Sequence, residues 1–210
     1  MGPPVRVGAA RRAAVVHGWY RIGDLRPGIE ATLFPAVYAD DRARPTEDAL
    51  KADRERYLLA THGAHVFDTV RFLLGDVASI EARHRADGRN HAWVVLATMA
   101  SGAIGSIAIA ADVPGVPGEG IEIFGATGSL HVDTPFPFYR LASVVRAYAD
   151  ARVVSPSLTD GDAYERQLEA FAASIRDDRA PSPDARDGLA AVQLIQATAE
   201  AVATRLEVRL

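Results

Sequence analysis

Apolar and polar residues alternate along several stretches of the chain, a pattern that predicts β-strands. Residues 13–22 and 29–39 are rich in β-branched and aromatic residues and flank the turn-type sequence GDLRPG, so they predict two strands that could form a hairpin. The segment 134–160 predicts an irregular excursion with a short strand near 142–148. Five further strands, joined by glycine-containing turns, are predicted at 78–85, 91–99, 103–113, 120–127 and 129–133.

A spacing of three to four residues between apolar positions predicts three helices. The first is expected to start near Thr46, a suitable N-cap, and to end at Gly75. The others are expected at 162–178 and 184–205, the last followed by a short strand, LEVRL. The second helix places four apolar residues on one face, of which the two aromatic ones are predicted to be core: Tyr164, Leu168, Phe171 and Ile175.

Strands in a run, with helices before and after them, predict an α+β fold with an open, mostly antiparallel β-sheet and helices on one face. The strand 103–113 has Ile107 and Ile109 on one side and Ala108 and Ala110 on the other, so neither side is charged. Helices on one face leave the second apolar face bare. We therefore expect that face to be an oligomer interface, most simply that of a homodimer.

Length and composition narrow the class of protein. The 210 residues predict a tail, 1–12, followed by one domain, 13–210. The absence of cysteine excludes disulfides, thiolate zinc sites and a cysteine nucleophile. A net charge of −4 with interleaved signs gives no basic surface for nucleic acid. No signal peptide and no segment of about 20 apolar residues is visible, so we expect a cytoplasmic protein without a membrane partner.

The predicted helix over 57–74 carries the residues best suited to chemistry. One stripe is apolar and would face the core, whereas the opposite stripe lacks the usual Glu, Lys and Arg. That opposite stripe and its flanks carry Thr61, His65, Asp68, Phe72, Tyr57 and His62. Such a set is typical of a pocket wall, although exposed polar residues or a His–Asp pair that fixes a loop would give the same pattern.

Aromatic residues elsewhere could complete such a pocket. His17, Trp19 and Tyr20 follow one another in the first strand, so two of the three share a sheet face and could reach the site; ordinary strand packing is the alternative. Tyr139 could close over the pocket or cap the core. No metal site is expected, because on a regular helix His62 is rotated well away from the line of His65.

The segment LLATHGAHVFDTVRFLLGDVASIEARH resembles the substrate-domain signature of the glucose-fructose oxidoreductase, inositol dehydrogenase and rhizopine-catabolism (Gfo/Idh/MocA) family. That helix reads Asp-x-Gly-x-His-x-x-Asp; Gly63, His65 and Asp68 match, and Thr61 stands where many members have Asp. The hairpin ATMASGAIGSIAIA, the turn IFGATGSLHV and the Asp-Gly-Leu sequence opening the last helix extend the resemblance. It covers about residues 13–210.

Two features of that family are missing from this sequence. No Gly-x-Gly-x-x-Gly, the fingerprint of a dinucleotide-binding Rossmann domain, occurs in it. The single lysine, Lys51, lies between Leu50 and Ala52 rather than in a Glu-Lys-Pro element. The chain is therefore expected to carry no cofactor of its own, and NAD(P) is expected only if a partner Rossmann domain supplies it.

The resemblance implies catalytic roles for three helix residues. His65 would be the acid/base residue, Thr61 a donor of a hydrogen bond to the substrate, and Asp68 an orienter of His65. Five further residues are candidate substrate contacts, some on the helix and some on the aromatic segments described above: His62, His17, Trp19, Tyr57 and Tyr139.

Three functions remain open on the sequence. The first is a stand-alone substrate-binding domain that works with a separate Rossmann subunit or acts as a binding module for a small polar substrate. The second is a cofactor-free acid/base enzyme, such as an epimerase, dehydratase or cyclase, acting on a sugar- or polyol-like compound. The third is a structural or regulatory oligomer, so whether the chain is an enzyme is not decided by its sequence.

Overall fold

The computed structural model of the protein describes residues 13–23, 48–49 and 51–210. Three predictions lie outside these residues, namely the tail 1–12, the strand at 29–39 and the helix start at Thr46. Among the helices in the described part, none is both long enough and apolar enough to cross a lipid bilayer.

Nine strands form one open sheet in the described part of the chain. They are β1 (Ala13–Ile22), β2 (Val77–Asp87), β3 (Asn90–Met99), β4 (Ile104–Ala111), β5 (Gly118–Gly125), β6 (Gly128–Pro135), β7 (Val144–Ala149), β8 (Arg152–Val154) and β9 (Val208–Arg209). Their order is β8-β7-β6-β5-β1-β4-β3-β2-β9, and all neighbours are antiparallel except β1 and β4. The predicted α+β class is confirmed, and the excursion after β6 is more regular than predicted because it contains the β7–β8 hairpin.

Strand β1 lies in the middle of the sheet, between β4 and β5. Gly18 pairs with Ile107 in parallel on one side and with Ile121 in antiparallel on the other. Strands β4 and β5 follow each other along the chain but do not pair, because β1 separates them. The two halves of the sheet are therefore joined through the hydrogen bonds of β1.

Three helices accompany the sheet in the described residues: α1 (Arg54–Leu74), α2 (Ala163–Arg176) and α3 (Ala185–Thr204). Helix α1 begins after Asp53, whose carboxylate accepts a hydrogen bond from the Arg56 amide. It ends at Gly75, as predicted, where a φ of 85° suits glycine. Helix α3 begins with a capping box between Asp184 and Asp187.

Helices α1 and α3 pack on one face of the sheet and enclose the core. The predicted apolar stripe of α1 is buried at Leu59, Gly63, Val66 and Val70. These side chains meet those of β1, β3 and β4. Ile107 and Ile109, which alternation places on one side of β4, are both buried against them. The predicted orientation of this helix is confirmed.

The opposite face of the sheet carries exposed apolar side chains. Val94 and Leu96 on β3, Ile104 on β4 and Phe124 on β5 are between 45% and 59% exposed. They alternate with buried residues along the same strands. The sheet therefore has one face that α1 and α3 cover and one apolar face that the described residues leave open.

Helix α2 contradicts the predicted core. Tyr164, Leu168, Phe171 and Ile175 do share a face, but they are 47%, 68%, 56% and 68% exposed. The prediction that Tyr164 and Phe171 are core residues is wrong. Helical spacing shows only that side chains lie on one face and does not identify what covers that face.

Replacing Phe67 with alanine should lower the free energy of unfolding by about 3–5 kcal/mol, because the ring is fully buried and its removal leaves a cavity. The same change at Phe72, on the same helix but 81% exposed, should cost less than about 0.5 kcal/mol. Urea denaturation followed by circular dichroism measures both. Equal losses would contradict this placement of α1.

Candidate functional site

A stack of three rings forms where the end of β1 meets α1. The Tyr20 ring lies parallel to the His65 imidazole, with centroids 5.0 Å apart and planes 4° apart. The same ring stacks on His62 at 5.4 Å and 17°. Because His62 and His65 are three residues apart on the helix, both reach the one tyrosine. The contact holds the His65 ring in a defined orientation.

His65 and Tyr20 open onto a cleft of about 280 Å³. The helix and β1 form one wall, β5 and β6 form the floor, and the chain after β6 and the start of α2 form the other wall. Residues from all these elements line it, among them Glu119, Thr134, Phe136, Ser143, Tyr164 and Arg166. The mixture of hydroxyl, carboxyl and guanidinium groups with aromatic rings is typical of a site for a small polar molecule.

The His65 imidazole has a lowered pKa. Burial against its neighbours disfavours the charged ring, and the Asp68 carboxylate partly offsets this effect. His65 is therefore mainly neutral at pH 7 and has a nitrogen lone pair with which to accept a proton. Asp68 does not line the first cleft. It lines a second one, between α1 and the start of α3, which His65 and Asp184 also line.

Two of the predicted helix residues have other roles in the structure. The Thr61 hydroxyl donates a hydrogen bond to the Tyr57 carbonyl oxygen at 2.8 Å, so its proton is already in use. Tyr57 is half-buried, with the Lys51 ammonium 6.0 Å from its ring centroid. Neither residue lines the cleft.

His62 also departs from its predicted place on the wall of the site. It is only 4% exposed and lies beneath Tyr20. It supports the ring that orients His65 and does not face the cleft. The pattern of α1 placed it at the edge of the polar stripe, but the tyrosine from β1 covers it.

His17 and Trp19 lie on the open face of the sheet and not at the cleft, in agreement with the alternative of ordinary strand packing. His17 Nδ1 is 2.6 Å from Ser106 Oγ, and the Trp19 ring is 6.1 Å from the His131 ring. Alternation along β1 brings Tyr20 to the cleft instead.

Tyr139 does not line the cleft either. It belongs to a short 3₁₀ turn, Pro137–Tyr139, and its ring packs edge-on against Phe136, 5.8 Å away. Phe136 and Pro137 are the residues of this segment that form the wall. Tyr139 therefore supports the wall from behind.

Glu119 is the site residue that sequence reasoning missed. It lies on β5 directly opposite Tyr20, lines both clefts beside His65, and burial raises the pKa of its carboxyl group. A signal was present: in GEGIEIF, Glu119 is in phase with the buried Ile121 and Ile123, so alternation places a carboxyl group on the core side.

The histidines and carboxylates of this region do not form a metal site. In the described ranges, no three His, Asp or Glu side chains are grouped so as to hold an ion. The chemistry that the arrangement supports is proton transfer and hydrogen bonding.

A family model for the GFO/IDH/MocA C-terminal domain matches residues 21–131. The chain belongs to the Gfo/Idh/MocA family. The match includes the helix with Gly63, His65 and Asp68 and the hairpins that follow it, so it confirms the resemblance drawn from those segments. A search of curated protein sequences gives no match.

Solved oxidoreductase structures share the Gfo/Idh/MocA fold described above. Levoglucosan dehydrogenase in complex with NADH and L-sorbose is 19% identical, with a TM-score of 0.70 over 96% of this chain and 59% of that one. An NAD-binding oxidoreductase from Klebsiella pneumoniae is 16% identical, with a TM-score of 0.69 over 96% and 60%. UDP-N-acetylglucosamine 3-dehydrogenase from Acidithiobacillus ferrooxidans is 16% identical, with a TM-score of 0.66 over 91% and 54%. The chain thus spans little more than half the length of these proteins.

The Asp68→Asn variant should have a His65 pKa below that of the parent protein, because the change removes the carboxylate that favours the imidazolium. Titration of the histidine ring resonances by NMR measures both values, and the parent value is expected below 6.5. Glu122→Gln, a change on the open face, should leave the His65 pKa unchanged. A rise in the Asp68→Asn variant would contradict the assignment.

Proposed function

We propose that this chain is the substrate-binding domain of an NAD(P)-dependent oxidoreductase that acts on a sugar- or polyol-like molecule. The observation that carries the proposal is the His65 ring, held by Tyr20 at a cleft lined with hydrogen-bonding groups. Membership of the Gfo/Idh/MocA family supports it. Neighbours of the same fold include a levoglucosan dehydrogenase and a UDP-N-acetylglucosamine 3-dehydrogenase.

The nucleotide has no binding unit in this sequence. Without a Gly-x-Gly-x-x-Gly turn, the residues present do not fit the pyrophosphate of a dinucleotide. We therefore assign its binding to a separate Rossmann domain, which would supply NAD(P) as the hydride acceptor. The substrate domain then contributes recognition and proton transfer.

His65 performs the proton transfer in this proposal. Oxidation of an alcohol requires the hydroxyl proton to leave as the carbon–oxygen double bond forms, and a neutral imidazole accepts that proton. The lowered pKa keeps His65 in its basic form at neutral pH, and the stacked Tyr20 ring keeps it in one orientation. Asp68 stabilises the imidazolium that results.

One observation favours a second candidate function, cofactor-free acid/base chemistry such as epimerisation. The cleft holds two titratable groups, His65 and Glu119, whose pKa values are shifted in opposite directions. An imidazole and a carboxyl group that line one cleft can each exchange a proton with a bound substrate. Conversion of a sugar by the isolated chain without nucleotide would select this candidate over the first.

The isolated chain should bind polyols, because its recognition residues do not depend on the nucleotide. Sorbitol and myo-inositol are expected to shift the His65 ring resonances in NMR titrations, with dissociation constants of about millimolar order. His65→Ala should weaken binding about 10-fold, the typical effect of losing one hydrogen bond; in that variant the resonances of Tyr20 report binding. His131→Ala, on the open face, is the matched control, and equal losses in the two variants would refute the site.

We also propose that the open sheet face joins two copies of the chain, since contiguous exposed apolar surface of this kind is typical of an interface. The double variant Val94→Glu, Leu96→Glu should convert a dimer into a monomer, because it places four like charges in a symmetric contact. Light scattering after size-exclusion chromatography measures the mass. Phe72→Glu, an equally polar change away from this face, should remain dimeric; a monomeric parent protein would refute the proposal.

A further inference from the structure

Four hydrogen-bonding side chains line the cleft in a row that runs from one wall across the floor. Glu119 on β5 lies directly opposite Tyr20 on β1 and directly opposite Thr134 on β6. Paired residues on neighbouring strands point to the same face and lie side by side, with about 4.8 Å between strands. The Tyr20 ring in turn stacks on His65. The row thus presents a hydroxyl, a carboxyl, a phenol and an imidazole.

Glu119 is the carboxyl group of this row, and it is half-buried. No side chain of the described residues donates a hydrogen bond to its carboxyl group, and burial alone accounts for its raised pKa. Glu122, on the same strand but on the open face, instead accepts a hydrogen bond from His131 at 3.0 Å. Keeping a half-buried carboxyl group unpaired costs free energy, which a ligand hydroxyl would offset.

The neighbouring hydroxyl extends the same binding surface. Thr134 Oγ1 lies 3.2 Å from Ser143 Oγ, a hydrogen bond that fixes Thr134 on the wall of the cleft. A molecule lying across β1, β5 and β6 with one hydroxyl at His65 would therefore meet the Glu119 carboxyl and the Thr134 hydroxyl farther along its length. A molecule with a single hydroxyl group would leave both unsatisfied.

We propose that Glu119, assisted by Thr134, binds a second hydroxyl group of the substrate, so that the cleft selects polyhydroxylated molecules over simple alcohols. The inference rests on the proposed function, because it takes this cleft as the sugar or polyol site. It adds the residues that distinguish such a substrate from other alcohols.

Binding of myo-inositol to the full chain, followed by NMR through the His65 resonances, tests the assignment. Glu119→Ala should weaken binding at least about 10-fold, as expected when a hydrogen bond to a charged or strongly polar group is lost. Glu119→Gln should retain most of the affinity, since the amide both donates and accepts. Glu122→Gln is the matched control on the same strand and should bind as the parent protein does.

Cyclohexanol, which has the same ring and one hydroxyl group, measures selectivity. The parent protein should prefer myo-inositol, and Glu119→Ala should lose most of that preference while its affinity for cyclohexanol changes little. Thr134→Val, close in shape to threonine, should lose about 3-fold in affinity for myo-inositol and serves as an independent variant if Glu119→Ala fails to fold.

The outcomes separate this inference from the proposed function. Unchanged myo-inositol binding in folded Glu119→Ala, or in Thr134→Val if Glu119→Ala is unfolded, would overturn the assignment and leave the polyol site intact. Absence of binding of both myo-inositol and sorbitol to the parent protein would overturn the proposed function and the inference together.

Discussion

The close approach of α1 to the sheet determines the rest of the site. A Cβ atom at Gly18 of β1 would lie 3.1 Å from Val66 Cγ2 and 3.4 Å from Val70 Cγ2, both on α1. A glycine at this position therefore lets the helix pack closely on the centre of the sheet. This contact fixes the distance of α1 from the sheet and the rotation of α1 about its own axis. As a result, His65 reaches Tyr20 at the end of β1.

Alternation along β1 and β5 separates two surfaces with different chemistry. Tyr20 and Glu119 face the helices and the cleft, whereas His17 and Glu122 face the open side and bond to Ser106 and His131. The cleft and the open face thus share the same strands, with their side chains one residue apart. A one-residue shift in the register of β1 would turn Tyr20 to the open face and His17 towards the helices, and would disrupt both surfaces.

The sequence predicted the fold better than the site, for a physical reason. Strands and helices follow from local periodicity, so the shared side of Ile107 and Ile109 on β4 and the end of α1 at Gly75 could be predicted without knowing their neighbours. The site depends on which face of β1 meets which face of α1, and periodicity leaves that choice open for His17, Trp19 and Tyr20. Tertiary packing also determines that the apolar face of α2 is exposed and that the Tyr20 ring covers His62.

The central position of β1 has a consequence for how the chain folds. Gly18 pairs with Ile107 and Ile121, which are about 90 and 100 residues farther along the chain. Pairing of such distant segments is slow, because closing a long loop costs conformational entropy. Until that strand docks, β4 and β5 each present an unpaired edge to any other polypeptide nearby. The step that completes the cleft is therefore also the one that protects the nascent protein from aggregation.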